Sequence, residues 1–384
     1  MYRFHVLSLP HTETTKEYVS CAYTQKVINF CKMMTSYGHE VYLYAGEENE
    51  APCRELITIS SKEDKKRWFG DFDYNKNFYP ITWGVGDKHW VESNDKAIKE
   101  IGKRIRPDDF ICLIGGNCQQ PIDEAFPKNS TVEFGVGYEG VFSQFRVFES
   151  YSHMHWVYGL QGIHHGQFYD CVIPNYYDPN DFKFQRNKDD YLLWVGRFIQ
   201  HKGPQIAANI AERTGLPLIM AGQGVDKVEE LDNGETKISG SGIFVQGKNI
   251  SHVGHISGDV KKGLFAGARA LIAPTTYIEP FGGVAVEAMF SGTPVIATDF
   301  GAFTETVQHG VSGYRFRTMG EAEQFTMKSG ELDPETIRHY AASNYSLERV
   351  AQLYQDYFDQ LYGLNGKGFY SKRPTSMNRY QKYL

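Results

Sequence analysis

The sequence predicts an α/β protein with two doubly wound parallel sheets, one in each half of the chain. Three observations indicate this. Short apolar runs typical of buried parallel strands alternate with helical periodicity. The alternation breaks once, at a polar stretch around residues 178–190, and then restarts. The length of 384 residues exceeds what one ordinary core serves. Each half is therefore expected to fold as its own domain, with the polar stretch as the linker.

Five predicted strands lie in each half, with helices between them, as at Tyr23–Tyr37 and Gln205–Arg213. Residues 60–95 hold three tryptophans and many charges and fit the alternation least well, so an insertion or irregular loop without an assigned role is expected there. The predicted strands are Phe4–Leu9, Val41–Tyr44, Phe110–Ile114, Val132–Val136 and Cys171–Pro174, then Leu192–Val195, Leu218–Ala221, Gly242–Val245, Ala270–Ala273 and Pro294–Ala297.

A long amphipathic helix is predicted near the end of the chain. Apolar residues recur at i, i+3, i+4 and i+7 from Leu347 to Leu361, after Ser346 as the N-cap and before Gly363 as the stop. The tail that follows, residues 366–384, carries basic residues and no acid. This composition indicates a solvated tail or, as an alternative, a local phosphate contact.

Composition narrows the classes of function. A net charge of −6 argues against a globally basic nucleic-acid binder, although a local basic groove stays possible. The six cysteines show no metal-ligand spacing, which predicts free thiols in a reducing, cytoplasmic protein. No apolar run is long enough to cross a membrane, and the first residues lack the pattern of a signal peptide. We therefore expect no transmembrane segment.

The strongest candidate site lies within Ile278–Val307. Glu279 and Glu287 are eight residues apart, and Gly282–Gly283 lies between them. The pattern predicts a strand, a tight turn and a helix that starts near Gly283. Such a helix presents backbone N–H groups and the positive end of its dipole to an anion or polar ligand. The two carboxylates then suit hydrogen bonds to ligand hydroxyls, whereas a capping pair on a solvated helix is the alternative that the flanking sequence disfavours.

A second candidate site lies within Leu192–Pro204. A predicted strand ends at Gly196, Arg197 follows at once, and Lys202 precedes a predicted helix. An arginine fork and a mobile lysine can clamp a diphosphate between them. Taken alone, such a pair is more often two solvated side chains in a loop.

In this order and about 80 residues apart, the two motifs resemble the retaining GT-B glycosyltransferases of family 4, also called group 1. The resemblance extends to Val172–Asp178, Gly254–Thr275 and Tyr345–Phe358. It implies two Rossmann-like domains that face a central cleft, and a last helix that crosses back to the first domain. The implied boundaries are 1–182 for the acceptor-side domain, 183–345 for the nucleotide-sugar domain and 346–384 for the crossing helix and basic tail.

The resemblance also implies a role for each matched residue. Arg197 and Lys202 hold the donor diphosphate and neutralise the leaving group, and Glu279 holds the donor sugar, so these three form the catalytic set. Glu287 holds the ribose hydroxyls. Further donor contacts are implied for the strand end, the base-side loop and the helix start, namely Gly196, His255, Ile256, Phe281, Gly282, Gly283 and Val284.

The activity implied is metal-independent, retaining transfer of a sugar from a nucleoside-diphosphate sugar to a hydroxyl acceptor, such as a glycan or lipid-linked glycan, without a cofactor. The first half departs from the family pattern. The loop after the first strand, residues 10–20, lacks a glycine pair, and Ile114–Pro121 replaces a common histidine. The residues suggested for acceptor contacts are Asn117, Gln119, Gln120, Tyr138 and His155, with packing as the alternative for the last two.

Other functions stay open at this point. A phage-type DNA glycosyltransferase is disfavoured by the acidic charge and weakly favoured by the basic tail, so nucleic acid is a possible but not a favoured partner. A non-enzymatic sugar-nucleotide or glycan-binding module is disfavoured because all four charged donor-site residues are present. Synthases of the sucrose-phosphate or trehalose type share the second-half motifs.

Three other patterns are rejected. Gly135–Gly140 matches a dinucleotide-binding fingerprint but lies mid-chain, and Glu149 comes too early for the acid required about 20 residues later and is expected inside a helix. Asp71–Asp73 matches the metal motif of GT-A transferases but lies in the irregular insertion. Four histidines, at 153, 155, 164 and 165, lack the acids or cysteines of a metal site. No metal is therefore predicted.

Overall fold

The computed structural model describes residues 1–18, 21–72, 80–167 and 169–364. In these ranges the chain forms two α/β domains, each built on a parallel sheet. The elements of the first domain are β1 (Arg3–Leu7), α1 (Ala22–Ser36), β2 (Glu40–Gly46), β3 (Glu55–Ser60), α2 (Lys62–Phe69), α3 (Lys88–Gly102), β4 (Phe110–Leu113), α4 (Gln120–Ala125), β5 (Ser130–Val136), β6 (Phe145–Phe148), α5 (Tyr151–Leu160) and β7 (Cys171–Val172).

The second domain adds a small antiparallel sheet to its parallel one, and a long helix ends the described chain. Its elements are β8 (Leu192–Val195), α6 (Pro204–Thr214), β9 (Leu218–Ala221), β10 (Lys227–Glu230), β11 (Thr236–Gly240), β12 (Ile243–Gly247), β13 (Ile250–His252), α7 (Gly258–Gly267), β14 (Ala270–Ala273), α8 (Gly283–Phe290), β15 (Val295–Thr298), α9 (Phe303–Thr306), β16 (Gly313–Phe316), α10 (Met319–Lys328), α11 (Pro334–Tyr345) and α12 (Leu347–Leu364).

Both parallel sheets are doubly wound, as predicted. The first has the order β3-β2-β1-β4-β5-β6-β7 and the second β13-β9-β8-β14-β15-β16. In β4, Phe110 and Cys112 join the core shared with α1 and α12, while Ile111 and Leu113 join the core shared with α3 and α4. Helices on both faces explain why such strands read as continuous apolar runs.

The predicted strand at Gly242–Val245 does not belong to the parallel sheet. Residues Ile243–Gly247 instead pair antiparallel with β11, in a three-stranded sheet between β9 and β13. Phe244 is 60% exposed while Val245 is fully buried, which is the alternation of a strand with one covered face. The parallel sheet is completed by two short strands that the prediction lacked, β13 and β16.

The described residues of the segment 60–95 include two helices that the sequence did not predict. Helix α2 starts with a reciprocal capping box between Ser61 and Asp64, and α3 starts at Lys88. The high charge of α2 hid it from a search for apolar periodicity. Strands β3 and β6 were also not predicted.

The last helix crosses back to the first domain, as predicted. It starts at an N-cap in which Ser346 Oγ accepts a hydrogen bond from Arg349 N at 3.2 Å. Tyr354 and Phe358 are fully buried in the first core, with the Phe358 ring 4.6 Å from that of Phe4. Gly363 does not stop the helix, which runs to Leu364. The basic tail, 366–384, lies outside the described residues.

Among the described helices, none combines the length and the apolar character needed to span a membrane.

Candidate functional site

The predicted donor residues meet at the point where the strand order of the second sheet reverses. Arg197 and Lys202 follow β8, Glu279 follows β14, and these two strands are neighbours at the centre of the sheet. In doubly wound sheets, ligands bind outside the carboxyl ends of the strands at this switch point. The topology therefore assembles one polar site from two distant segments.

Lys202 and Glu279 are in direct contact there. Lys202 Nζ donates to Glu279 Oε2 at 2.6 Å and lies 2.8 Å from Tyr277 Oη. Their side chains are only 21% and 11% exposed, so water screens this ion pair incompletely. Arg197, at the end of β8, is exposed beside them. The pair therefore places a cation and a carboxylate side by side at the carboxyl ends of β8 and β14.

The backbone around Lys202 is fixed by packing that only glycine allows. Gly203 has a φ of +66°, and a Cβ there would lie 2.1 Å from Pro274 O. The indole Nε1 of Trp194 donates to Lys202 O at 3.1 Å. The backbone of Lys202 is thus held just before α6 by the tight turn at Gly203 and by the hydrogen bond from Trp194.

The turn into α8 is equally constrained. Gly282 caps the helix with a φ of +76°, and a Cβ on Gly283 would lie 2.5 Å from Tyr177 Oη. The Phe281 ring is buried, parallel to Tyr177 at 6.5 Å, and edge-on to Tyr345 at 5.7 Å. This packing fixes the turn between Glu279 and the amino end of α8, with Val284 in the first turn of the helix.

Glu287 has a partner that the sequence did not reveal. Lys261 Nζ, from α7, donates to a Glu287 carboxylate oxygen at 3.0 Å. His255 lies nearby, and burial, together with the Lys261 charge, lowers its pKa. Ile256 is buried beside it. Predicted ribose-side and base-side residues therefore share one patch, with Lys261 added.

Tyr23 of the first domain lies within electrostatic range of Arg197 and Glu279. Burial is the main cause of its raised pKa, followed by Cys21 and then by the charges of Arg197 and Glu279. Its hydroxyl donates to Gly137 O at 3.0 Å. Behind it, Lys26 forms a buried ion pair with Glu149, which lies ahead of α5 and not inside a helix as expected.

Of the predicted acceptor residues, Gln119 needs correction. It is 1% exposed, its Oε1 accepts from Ile114 N and Gly115 N at 3.0 and 2.7 Å, and its Nε2 donates to Ser8 O at 3.1 Å. The amide is a brace that joins the ends of β4 and β1, so it cannot face an acceptor.

The other candidates lie in two places. Asn117 is exposed, and Tyr138 is half-buried with its hydroxyl 3.1 Å from Glu133 and its ring 6.0 Å from Tyr23. Gln120 bonds to Glu124 on α4. His155 lines a separate cavity of about 500 Å³ bounded by residues 154–170. Of these four side chains, Tyr138 is the one that packs against Tyr23. The acceptor roles of all four stay predictions.

Comparison with known proteins identifies the second half. Residues 178–332 match the family described as glycosyl transferases group 1. The matched segment covers most of the second domain. A stretch of 134 residues is 33% identical to an uncharacterized glycosyltransferase of Methanocaldococcus jannaschii, and covers 33% of this chain and 32% of that relative. The match thus spans about a third of the relative's length.

Solved structures match across both domains. A glycosyltransferase involved in avilamycin A biosynthesis gives a TM-score of 0.60 at 18% identity, covering 94% of this chain and 98% of the other. HepE of Anabaena in complex with UDP and glucose gives 0.59 at 14%, covering 94% and 100%. Sucrose-phosphate synthase from Thermosynechococcus elongatus gives 0.63 at 15%, covering 94% and 100%. These likenesses confirm the predicted GT-B fold.

A clasp joins the second domain to the first at the turn between Glu279 and α8, called the donor turn below. Ser150 Oγ donates to Pro280 O at 2.7 Å. The amides of Tyr151 and Ser152, at the start of α5, donate to the Glu305 carboxylate at 2.9 and 2.7 Å. A carboxylate at a helix amino end is favourable, so this contact stabilises the association of the two domains. No local signal in the sequence points to it.

The rejected motifs have no site geometry in the described part of the chain. Gly135 lies within β5, and a loop, not a helix, follows. His153 is buried, and burial lowers its pKa to about 4. Among the described residues, no three His, Cys, Asp or Glu side chains are grouped to hold a metal ion. Asp73 lies outside the described residues.

Proposed function

We propose that this protein is a retaining glycosyltransferase that moves a sugar from a nucleoside-diphosphate sugar to a hydroxyl of a carbohydrate acceptor. The observation that carries the proposal is the 2.6 Å contact between Lys202 Nζ and Glu279 Oε2 at the switch point, ahead of the amino end of α8. The group 1 match over residues 178–332 supports the reaction class.

The charge distribution suits departure of a diphosphate. In the proposed step, the bond from the anomeric carbon to the diphosphate oxygen breaks, and its electron pair leaves with the diphosphate. The acceptor oxygen bonds to that carbon from the same face and passes its proton to an oxygen of the departing diphosphate. Lys202, Arg197 and the α8 amino end together stabilise the departing negative charge. Since these groups already supply positive charge, we propose that the transfer needs no metal.

Without a donor, Lys202 and Glu279 neutralise each other. A bound donor offers each of them a better partner, because its phosphate oxygens accept from the ammonium and its sugar hydroxyls donate to the carboxylate. Glu287 and Lys261, 3.0 Å apart, are then placed for the ribose and the base-side phosphate. The solved complexes of HepE with UDP and glucose support a nucleotide sugar as the donor class.

Each domain supplies one wall of the proposed reaction cleft. Tyr23 and the loop around Tyr138 stand on the first-domain side, where the clasp through Ser150 and Glu305 holds the donor turn. Closure of such a cleft excludes water, which would otherwise hydrolyse the donor.

The test is a panel of UDP-, GDP-, ADP-, CDP- and dTDP-sugars, with thermal stabilisation and slow donor hydrolysis measured with and without EDTA. We expect one nucleotide series to stand out and EDTA to have no effect. The product of transfer, analysed by NMR, is expected to keep the anomeric configuration of the donor. If none of the five nucleotide series stabilises the protein or is hydrolysed, the donor site is contradicted. Loss of activity in EDTA contradicts metal independence, and a product of inverted anomeric configuration contradicts retention.

A further inference from the structure

The indole of Trp83 is half exposed although it lies next to a buried tryptophan. Trp83 is 51% exposed, whereas Trp90, whose ring is 5.3 Å away, is fully buried. On its other side, the Trp83 ring meets the buried His11 ring edge-on at 6.2 Å. Leaving half of so large an apolar side chain in water forgoes hydrophobic stabilisation. An exposed indole on a supported base is typical of a binding surface.

Hydrogen bonds hold the backbone on both sides of Trp83. Trp90 Nε1 and His89 Nε2 both lie 3.1 Å from Thr82 O. The Asp87 carboxylate accepts from Gly84 N at 2.8 Å and from the Thr82 hydroxyl. Because the backbone at Trp83 is held without a ligand, less entropy is lost when a ligand binds there.

Trp83 stands at the edge of the first sheet that borders the cleft. His11 follows the carboxyl end of β1, and its neighbour Thr12 is hydrogen-bonded to Thr24 at 2.7 Å. The carboxyl ends of the parallel strands share this edge, and there Ser150, after β6, donates to Pro280 O of the second domain at 2.7 Å. Trp83 therefore lies on the sheet edge that meets the second domain.

The same edge is fixed from a second direction. Asn94 Nδ2, on α3, donates to Cys118 O at 2.7 Å, in the segment after β4. Helix α3 and the Trp83 loop before it are therefore tied to the carboxyl ends of both β1 and β4. This is the acceptor side of the proposed cleft.

The ion pairs in the region of Trp83 favour an uncharged ligand over a phosphate-bearing one. Among the described residues, the basic side chains of this region pair with acids: Lys65 with Glu13, and both Arg67 and Lys88 with Glu92. A phosphate-bearing ligand would have to break one of these pairs. The face of an indole is electron-rich, and an uncharged sugar ring presents C–H groups that stack on such a face.

We propose that Trp83 is the stacking platform of the acceptor site and that the acceptor ends in an uncharged sugar ring. This inference rests on the glycosyl transfer proposed above, and it names the acceptor class and the residue that binds it.

The test compares Trp83→Ala and Trp83→Phe with Val85→Ala, which shortens an exposed apolar neighbour (47% exposed) on the same loop. Binding of methyl α- and β-glucosides, galactosides and mannosides is measured by calorimetry, without donor. Loss of a stacking contact is expected to weaken the best-bound glycoside by about tenfold in Trp83→Ala. Trp83→Phe keeps most of the affinity, and Val85→Ala keeps all of it.

Two results overturn the proposal. One is that no methyl glycoside binds the wild type, and the other is that Trp83→Ala binds the best glycoside as the wild type does. A single-stranded oligonucleotide that binds through Trp83 in place of every glycoside would assign the platform to a nucleobase instead. The donor-induced thermal shift of Trp83→Ala shows whether the fold and donor site are intact. Failure of donor binding in the wild type concerns the proposed function and leaves the glycoside titration interpretable.

Discussion

The two domains share one architecture but encode their sites differently. In the second domain, the predicted residues lie in two short motifs after adjacent strands, and the fold brings Lys202 and Glu279 of these motifs within hydrogen-bond distance. In the first domain, the side chains that face the cleft come from loops far apart, and one predicted residue, Gln119, is a buried brace. A diphosphate can be held by a strand end and a helix start, which are local features, whereas an acceptor surface is assembled by tertiary contacts.

The largest effect is expected from removing the charged side chains of the donor site in the second domain. We expect Lys202→Ala and Glu279→Ala each to lower transfer and donor hydrolysis by roughly 10²–10³-fold, because each removes a charge that acts on the leaving group or the sugar. Steady-state rates measure this. Lys227→Ala, which removes a well-exposed lysine paired with Glu229 on β10, is the matched control and should act like the wild type. Losses smaller than about tenfold in both variants would show that the site is assigned wrongly.

Substitution of Gln119 in the first domain should lower stability and leave donor binding intact. Gln119→Ala removes three hydrogen bonds to buried backbone groups, and we expect the free energy of unfolding to fall by about 1–3 kcal/mol. Urea titration measures this change, while the donor-induced thermal shift should persist. Asn117→Ala, at an exposed neighbour, is the control for stability. Lost transfer at unchanged stability in Gln119→Ala would restore this side chain as an acceptor contact.

The smallest effect is expected at the clasp that joins the two regions. Glu305→Ala removes the carboxylate that accepts from Tyr151 N and Ser152 N, a cap of the kind worth roughly 0.5–2 kcal/mol. Because the clasp also holds the donor turn through Ser150 and Pro280, we expect kcat/KM to fall about two- to fivefold. Ser150→Ala should act in the same direction, and Glu323→Ala, on the exposed surface of α10, should not. Wild-type kinetics in both clasp variants would show that closure does not depend on these contacts.

The elements of the second domain show why prediction succeeded there. β8, β9 and β14 begin and end at the predicted residues, and α8 starts at Gly283. Buried parallel strands are uniformly apolar, and a left-handed turn demands glycine, so both leave marks in a few consecutive residues. The same holds for α12, whose apolar stripe and serine cap predicted its span to within a turn.

What the sequence determined by itself is therefore local: the alternation of strands and helices, the two motifs of the donor site, the glycine turns and the crossing helix. Tertiary structure alone decided the pairs that span long separations, such as Lys261 with Glu287 across 26 residues and Ser150 with Pro280 across 130. It also decided that Gly242–Val245 joins an antiparallel sheet, that Gln119 is buried and that Trp83 is held at the cleft. Periodicity and turn residues report on neighbours in the chain, whereas these features depend on which distant segments fill the remaining space.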